Sequence, residues 1–236
     1  MKRVLLEPAY VLHRRPYRES SFLVELFSSE HGRFTVIAKG VRKARSYSQG
    51  LLQPFVPLLV SWSGKGELMM LNEVEPNGEG KRLQGECLFA GFYLNELLMY
   101  LLQKWDAHPG LYTVYENTLT ALQTPSLEQR VLRLFEKRLL EELGYGLLLK
   151  ADAALQQQIV PEQYYRFVPE QGFVVTDSQD TSQSGVVFLG KSLLAIAKEE
   201  WQDEESLRDA KRLIRLLLTP LLGSRLLHSR RLFVKE

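Results

Sequence analysis

Cysteine occurs once in 236 residues, as Cys87, and histidine four times, as His13, His31, His108 and His228. A lone cysteine excludes an internal disulfide, and none of these residues stands at zinc-ligand spacing, so a reducing cytoplasm and no bound metal are expected. Long apolar runs are missing as well. The richest, C-L-F-A-G-F-Y-L-N-E-L-L-M-Y-L-L at 87–102, carries Asn95 and Glu96 in its middle. It falls short of the roughly 18 uninterrupted apolar residues of a membrane span and reads as a buried helix, with Cys87 an inert buried thiol. The apolar run before Glu7 is only Val4, Leu5 and Leu6, too short for a signal-peptide core. Neither export nor membrane insertion is expected.

Catalytic signatures are absent too. The chain has no G-x-x-x-x-G-K-[ST], no H-E-x-x-H and no G-x-S-x-G, which excludes those phosphate loops, zinc sites and nucleophile elbows. G-K-G-E at 64–67 lacks the further glycine of a dinucleotide fingerprint and reads as a hairpin turn. Glu141-Glu142 and Asp203-Glu204-Glu205 could serve as paired carboxylates. The second group, however, stands where a helix start favours acids anyway. The chain is therefore expected to be no enzyme and to need no cofactor.

What is present is segregated charge. The net value of +2 hides a basic start, residues 1–66, with eleven Lys/Arg against four Asp/Glu. Residues 67–206 are acidic, with eleven against 22, and residues 207–236 are basic again, with eight against two. Such asymmetry suits local attraction for polyanions; solvated faces of differing sign are the plain alternative. With 45% apolar and 10% aromatic residues the chain can fill real cores.

From residue 8 to 76 the pattern has period two. In G-R-F-T-V-I-A-K, Phe34, Val36 and Ala38 point one way and Arg33, Thr35, Ile37 and Lys39 the other. Comparable runs at A-Y-V-L-H-R, S-F-L-V-E-L-F, P-F-V-P-L-L-V-S-W and E-L-M-M-L-N-E-V-E make five strands. With a long basic loop between the third and fourth, they suit a five-stranded barrel of the oligonucleotide-binding (OB) type; an open sheet is the alternative. After E-P-N-G-E-G the period becomes helical: helices are expected at 86–105, 113–122 and 126–143, the last capped by Ser126 and closed by Gly144. Its core stripe is Leu127, Val131, Leu134, Phe135 and Leu139. The P-E-Q-G turn signals a hairpin near 161–176, and two more helices follow, at 190–201 and from Asp203 to about 219, ended by Pro220 and Gly223. The expected class is α+β: an OB-type barrel over 1–78, then a helical bundle over 79–236 with a small hairpin insertion.

The densest basic stretch is A-K-G-V-R-K-A-R-S-Y-S-Q-G at 38–50. Phosphates call for spaced cations, and unpaired bases for flat side chains to stack on. Arg33, Lys39, Arg42, Lys43, Arg45 and Lys65 supply the first with no acid between 31 and 66, and Tyr47 and Trp62 the second. R-R-P-Y-R adds Arg14, Arg15, Tyr17 and Arg18 on the turn expected after the first strand. A loop merely kept soluble by its charges is the bland reading. Near the C-terminus, Arg208, Lys211, Arg212 and Arg215 share one helical side opposite Leu207, Leu213, Ile214, Leu217 and Leu218. That helix suits a bundle position with a basic outer face, a membrane surface, a nucleic-acid track or a pocket for an acidic peptide.

The run V-L-H-R-R-P-Y-R-E-S-S-F-L-V-E-L-F-S-S-E-H-G-R-F-T-V-I-A-K-G-V-R-K at 11–43, with G-L-L-Q-P-F at 50–55, resembles the N-terminal barrel of the bacterial RecO family. Further matches are G-F-Y-L-N-E-L-L at 91–98, L-F-E-K-R-L-L-E-E-L-G-Y-G at 134–146 and L-L-G-S-R-L-L-H-S-R-R-L-F at 221–233. The resemblance implies a mediator of RecF-pathway DNA repair that binds single- and double-stranded DNA and anneals complementary strands. It also implies action with RecR to help RecA displace the single-stranded-DNA-binding protein, SSB. It implies binding of the acidic SSB C-terminal tail on the helical part, with Arg133 a matching position and Lys191, Lys211, Arg212 and Arg215 as further candidates. Many relatives carry a four-cysteine zinc module after the G-Y-G segment. Here K-A-D-A-A-L-Q-Q-Q-I-V-P-E-Q-Y-Y has no cysteine, so zinc is not carried over. A peptide-binding adaptor with incidental nucleic-acid affinity is the rival reading.

Overall fold

The computed structural model describes residues 2–42, 47–66, 68–124, 128–145, 159–168, 171–177, 185–200 and 203–233. They form two compact units, one of residues 1–128 with 224–236 and one of residues 129–223.

In the first unit five strands, β1 (Lys2–Tyr17), β2 (Ser21–Ser28), β3 (Gly32–Ala38), β4 (Leu58–Gly64) and β5 (Leu68–Pro76), close into a barrel in the order β1-β2-β3-β5-β4. The short helix α1 (Tyr47–Leu51) lies between β3 and β4, and this crossover lets β5 run parallel to β3. Closure leaves no strand edge exposed for stray pairing. The alternation in β3 predicts its faces: Phe34 and Val36 are fully buried and Ala38 nearly so. Trp62 is also 0% exposed, its ring 4.5 Å from Phe34. It fills the core and offers no surface for a base, contrary to the expectation for it.

β1 departs from expectation at both ends. It begins at Lys2, because the irregular pairing between Val4 and Glu7, with Leu6 at φ +51°, leaves both Leu5 and Leu6 exposed. Two adjacent outward apolar residues erase the period-two signal. It also runs on to Tyr17, with Pro16 opposite Phe22 and Tyr17 opposite Ser21. R-R-P-Y is therefore strand, and the turn is confined to Arg18–Ser20. At the start of β3 only glycine fits. Gly32 has φ +63°, and a Cβ there would lie 1.7 Å from the Asp106 carbonyl oxygen.

Helices α2 (Gly85–Leu101) and α3 (Pro109–Ala121, with proline in its first turn) complete this unit. Tyr10 and Phe27 of the barrel meet Tyr112 and Tyr115 of α3 at ring separations of 5.3–6.0 Å. Beneath them Asn95 donates to the Leu12 carbonyl at 2.9 Å and accepts from the Tyr115 hydroxyl at 2.5 Å, which satisfies a buried amide. The final residues turn back as a 3-10 helix (His228–Phe233) whose first N–H groups, at His228 and Ser229, donate to Glu96 of α2.

The second unit holds α4 (Glu128–Glu142), a three-stranded antiparallel sheet of order β7-β6-β8, and helices α5 (Gly190–Lys198) and α6 (Glu204–Leu222). β6 (Tyr164–Val168) and β7 (Gly172–Thr176) are the expected hairpin; β8 (Val187–Leu189) is an addition to it. Asp203 caps α6 by accepting the Ser206 N–H at 2.8 Å, which holds its carboxyl below the ordinary range. α5 stops at Lys198, where Glu199 turns left-handed, and α6 continues through Pro220 to Leu222, since a proline in the last turn forfeits a single backbone hydrogen bond.

The stripe expected on α4 is only partly right. Phe135 and Leu139 are fully buried, but Leu134 is exposed, and Arg133, Glu136 and Lys137 are buried instead. Lys137 reaches Glu141 at 2.9 Å and Glu199 at 2.6 Å, and Arg138 reaches both at 2.8 Å. Glu199, the residue that ends α5, and acids of α4 itself thus make a charged face an inward one. Gly144 ends the helix at φ +89° as expected, while Ser126 and Leu127 lie outside the described residues. Among the described residues no helix is long and apolar enough to cross a membrane.

Candidate nucleic-acid interface

The strand register gathers one group of cations at one end of the barrel. Phe22, second residue of β2, pairs with Pro16 of β1 on one side and Ala38 of β3 on the other. Arg14, Arg15 and Tyr17 near the end of β1, Arg18 in the turn, and Lys39 and Arg42 just past β3 therefore lie at the same end of the barrel as Phe22. Arg15, Arg18, Lys39 and Arg42 are exposed, and Arg14 and Tyr17 half-buried. Tyr47, on α1, is 73% exposed.

Several of these side chains are held in place. The guanidinium groups of Arg14 and Arg42 lie over the Phe22 ring, 4.9 and 5.9 Å from its centre. Arg14 Nη1 also donates to the Gln49 carbonyl at 3.0 Å, which ties β1 to α1, and burial pulls its pKa below the ordinary value. Arg42 Nη1 donates to the Arg18 carbonyl at 3.0 Å, and its backbone N–H to the Ser20 carbonyl at 2.9 Å. Arg18 in turn lies 5.2 Å over the Tyr17 ring. None of the ion pairs among the described residues involves Arg14, Arg15, Arg18, Lys39 or Arg42. Glu19, exposed on the turn, is the nearby acid in sequence. The arrangement presents positive charge toward solvent with donors to spare, which fits phosphate and carries no base-reading element of its own.

Other candidates lie elsewhere. Arg33 pairs opposite Phe27 toward the far end of β3, is largely buried, and contacts Glu25 at 3.3 Å while donating to the Leu102 carbonyl at 3.1 and 3.3 Å. Thr35 and Lys104 complete that cluster, at 2.6 and 3.8 Å from Glu25. Arg33 is thus spent as a clamp on the stretch after α2. Lys65 sits in the β4–β5 turn, and because Leu68 pairs with Thr35 in parallel, that turn also lies toward the Gly32 end of β3. Lys43 and Arg45 lie outside the described residues.

In the second unit Arg133 is 6% exposed, bound to Glu136 of its own helix at 2.9 Å, with its Nε buried and unbonded. Lys191 is exposed at the start of α5. Lys211 and Arg215 stand one turn apart and exposed on α6, and between them Arg212 is paired with Asp209 at 2.9 Å and lies 5.4 Å over the Phe188 ring. Phe22 is the residue of the rim that sequence reasoning missed. Its signal was its register: the hairpin turn at 18–20 places it opposite Pro16, near Arg14 of β1 and Arg42 of the turn after β3.

Among the described residues no group of three or more His, Cys, Asp or Glu is placed to hold a metal. Residues 146–158, within the stretch compared with the zinc module, lie outside those described.

Residues 1–78 match the family model described as Recombination protein O N terminal, and residues 82–231 that described as Recombination protein O C terminal. A protein of Coxiella burnetii (strain RSA 331 / Henzerling II) named DNA repair protein RecO is 46% identical over 231 residues, 98% of each chain. Proteins of the same name from Nitrosococcus oceani and Methylococcus capsulatus are each 46% identical, over 97% and 98% of this chain and 92% and 93% of theirs.

Proposed function

Because this chain belongs to the RecO family, whose named members act in DNA repair, we propose that it is a noncatalytic recombination mediator of the RecF pathway. On this reading the barrel, residues 1–78, holds single- and double-stranded DNA along the rim of Arg14, Arg15, Tyr17, Lys39, Arg42 and Tyr47, with Lys43 and Arg45, outside the described residues, as further candidates from the sequence. The remainder, 79–236, receives protein partners: the acidic C-terminal tail of SSB, and RecR, with which the protein helps RecA load onto SSB-coated strands in the cytoplasm. The observation that carries the reading is the group of cations at this end of the barrel, with half-buried Arg14 and exposed Arg42 over the Phe22 ring and neither in an ion pair among the described residues.

Annealing follows from the same charges. Two strands repel through their phosphates, and cations bound along one strand release counterions and lower that repulsion. Contacts to the backbone alone leave base edges free to pair, so no nucleotide hydrolysis is called for. Exposed Lys191, Lys211 and Arg215, with Arg212, offer charge to the acidic tail, and the unbonded Nε of Arg133 offers a buried donor to a carboxylate. These same cations support the rival reading, an adaptor for an acidic peptide whose DNA affinity is incidental.

Annealing of complementary strands, bare or precoated with SSB, separates the two. With coated strands, removal of the SSB tail is expected to abolish annealing, while bare strands anneal as before. Arg15→Ala with Arg42→Ala is expected to slow both. A rim variant that anneals bare strands at the parent rate, while tail binding persists, would favour the adaptor.

A further inference from the structure

We propose that Phe22 is a positioning residue for phosphate: its ring holds the guanidinium groups of Arg14 and Arg42 in place before a nucleic-acid strand arrives. The proposal rests on the reading of the rim as the DNA site. Phe22 is 8% exposed, and Arg14 reaches it from β1 and Arg42 from the turn after β3, so the ring collects cations from both neighbours of its own strand. Each arginine has a second anchor on a backbone carbonyl, that of Gln49 for Arg14 and of Arg18 for Arg42. Two points of attachment fix a guanidinium plane, yet use one of its five N–H donors.

The choice of an aromatic anchor has a physical reason. A carboxylate would hold an arginine equally well but would cancel its charge, as Glu25 does for Arg33. A ring attracts the cation through its quadrupole and leaves the full charge available to a phosphate. Loose surface arginines lose rotamer freedom when a ligand immobilises them, and for two such side chains prior ordering is worth about tenfold in affinity.

The test uses the full-length protein and a labelled single-stranded oligonucleotide, with affinity measured by anisotropy across salt concentrations. Phe22→Leu keeps an apolar side chain in the core and removes the ring. It is expected to bind about tenfold more weakly with the same salt slope, because the number of cations is unchanged. Phe22→Tyr, which keeps the ring, is expected to bind as the parent does. Arg14→Lys with Arg42→Lys, which keeps both charges and loses the planar forks, should match the leucine variant and serves if that variant fails to fold. Equal weakening by Leu and Tyr, or parent-like binding by Leu or by the double lysine variant, overturns the proposal. If Arg14→Ala and Arg42→Ala also leave affinity untouched, the rim reading itself fails; if they weaken binding while Phe22→Leu does not, only the positioning role is lost.

Discussion

The side chains of Arg15 and Lys39 are exposed and enter none of the side-chain hydrogen bonds or ion pairs seen among the described residues, so replacing both by glutamine changes charge and little else. Five described cations, Arg14, Arg15, Arg18, Lys39 and Arg42, gather at the rim. If all meet phosphate, the log-log salt slope on a single strand is about −3.5, at about 0.7 for each contact. Between 50 and 200 mM salt, the parent then loses roughly a hundredfold in affinity. With Arg15→Gln and Lys39→Gln the slope becomes about −2.1, and the same change of salt costs only about twentyfold. Arg33→Gln is the control. Its side chain is spent on Glu25 and the Leu102 carbonyl, so its loss should destabilise the fold by about 1–3 kcal/mol and leave the slope alone. Anisotropy titrations at four salt concentrations read the slopes, and thermal melts read the stabilities. A double variant with the parent slope, or an Arg33 variant with a slope as shallow as the double variant's, would refute the assignment of the binding charge to this rim.

Two further outcomes concern the scaffold. Asn95→Ala removes two buried hydrogen bonds, to the Leu12 carbonyl and from the Tyr115 hydroxyl, for an expected loss of about 2–4 kcal/mol in the urea unfolding of the first unit, followed by fluorescence; a loss under about 1 kcal/mol would mean that water replaces the amide. In the second unit, burial alone would raise the Glu141 carboxyl, but Lys137 and Arg138 overcome this and hold it below its ordinary range. A depressed folded-state value means its stabilising effect is complete above the unfolded carboxylate pKa of about 4.3 and fades as pH falls through the folded value. Acid titration of unfolding free energy should show that decline, and Glu141→Gln should flatten it; an unchanged pH profile in the variant would remove Glu141 as its source.

Where residues alternate or repeat against a single core face, the reading from composition and period agrees with the structure: Phe34, Val36 and Ala38 inward on β3, the P-E-Q-G hairpin, the Asp203 cap and the Gly144 helix end. These depend on neighbours within a few positions, and local sterics or one nearby hydrogen bond suffice to set them. It failed where a distant partner changes what a side chain means. Leu5 and Leu6 are exposed together because the pairing of β1 with β4 shifts register between Val4 and Glu7. Lys137 is buried against Glu199, just past α5, while Arg133 and Glu136 are buried as a pair on α4 itself. Arg33 and Arg42 are both arginines of one basic segment without an acid between 31 and 66, and the sequence does not tell them apart. Strand pairing puts Glu25 beside one and Phe22 beside the other. By itself the sequence determined that five short strands precede helices and that positive charge collects near residues 14–45; closure of those strands into a barrel came with the tertiary pairing. Which of those charges remain available for a phosphate was decided only by tertiary structure, because a guanidinium keeps its field against an aromatic ring and loses it against a carboxylate.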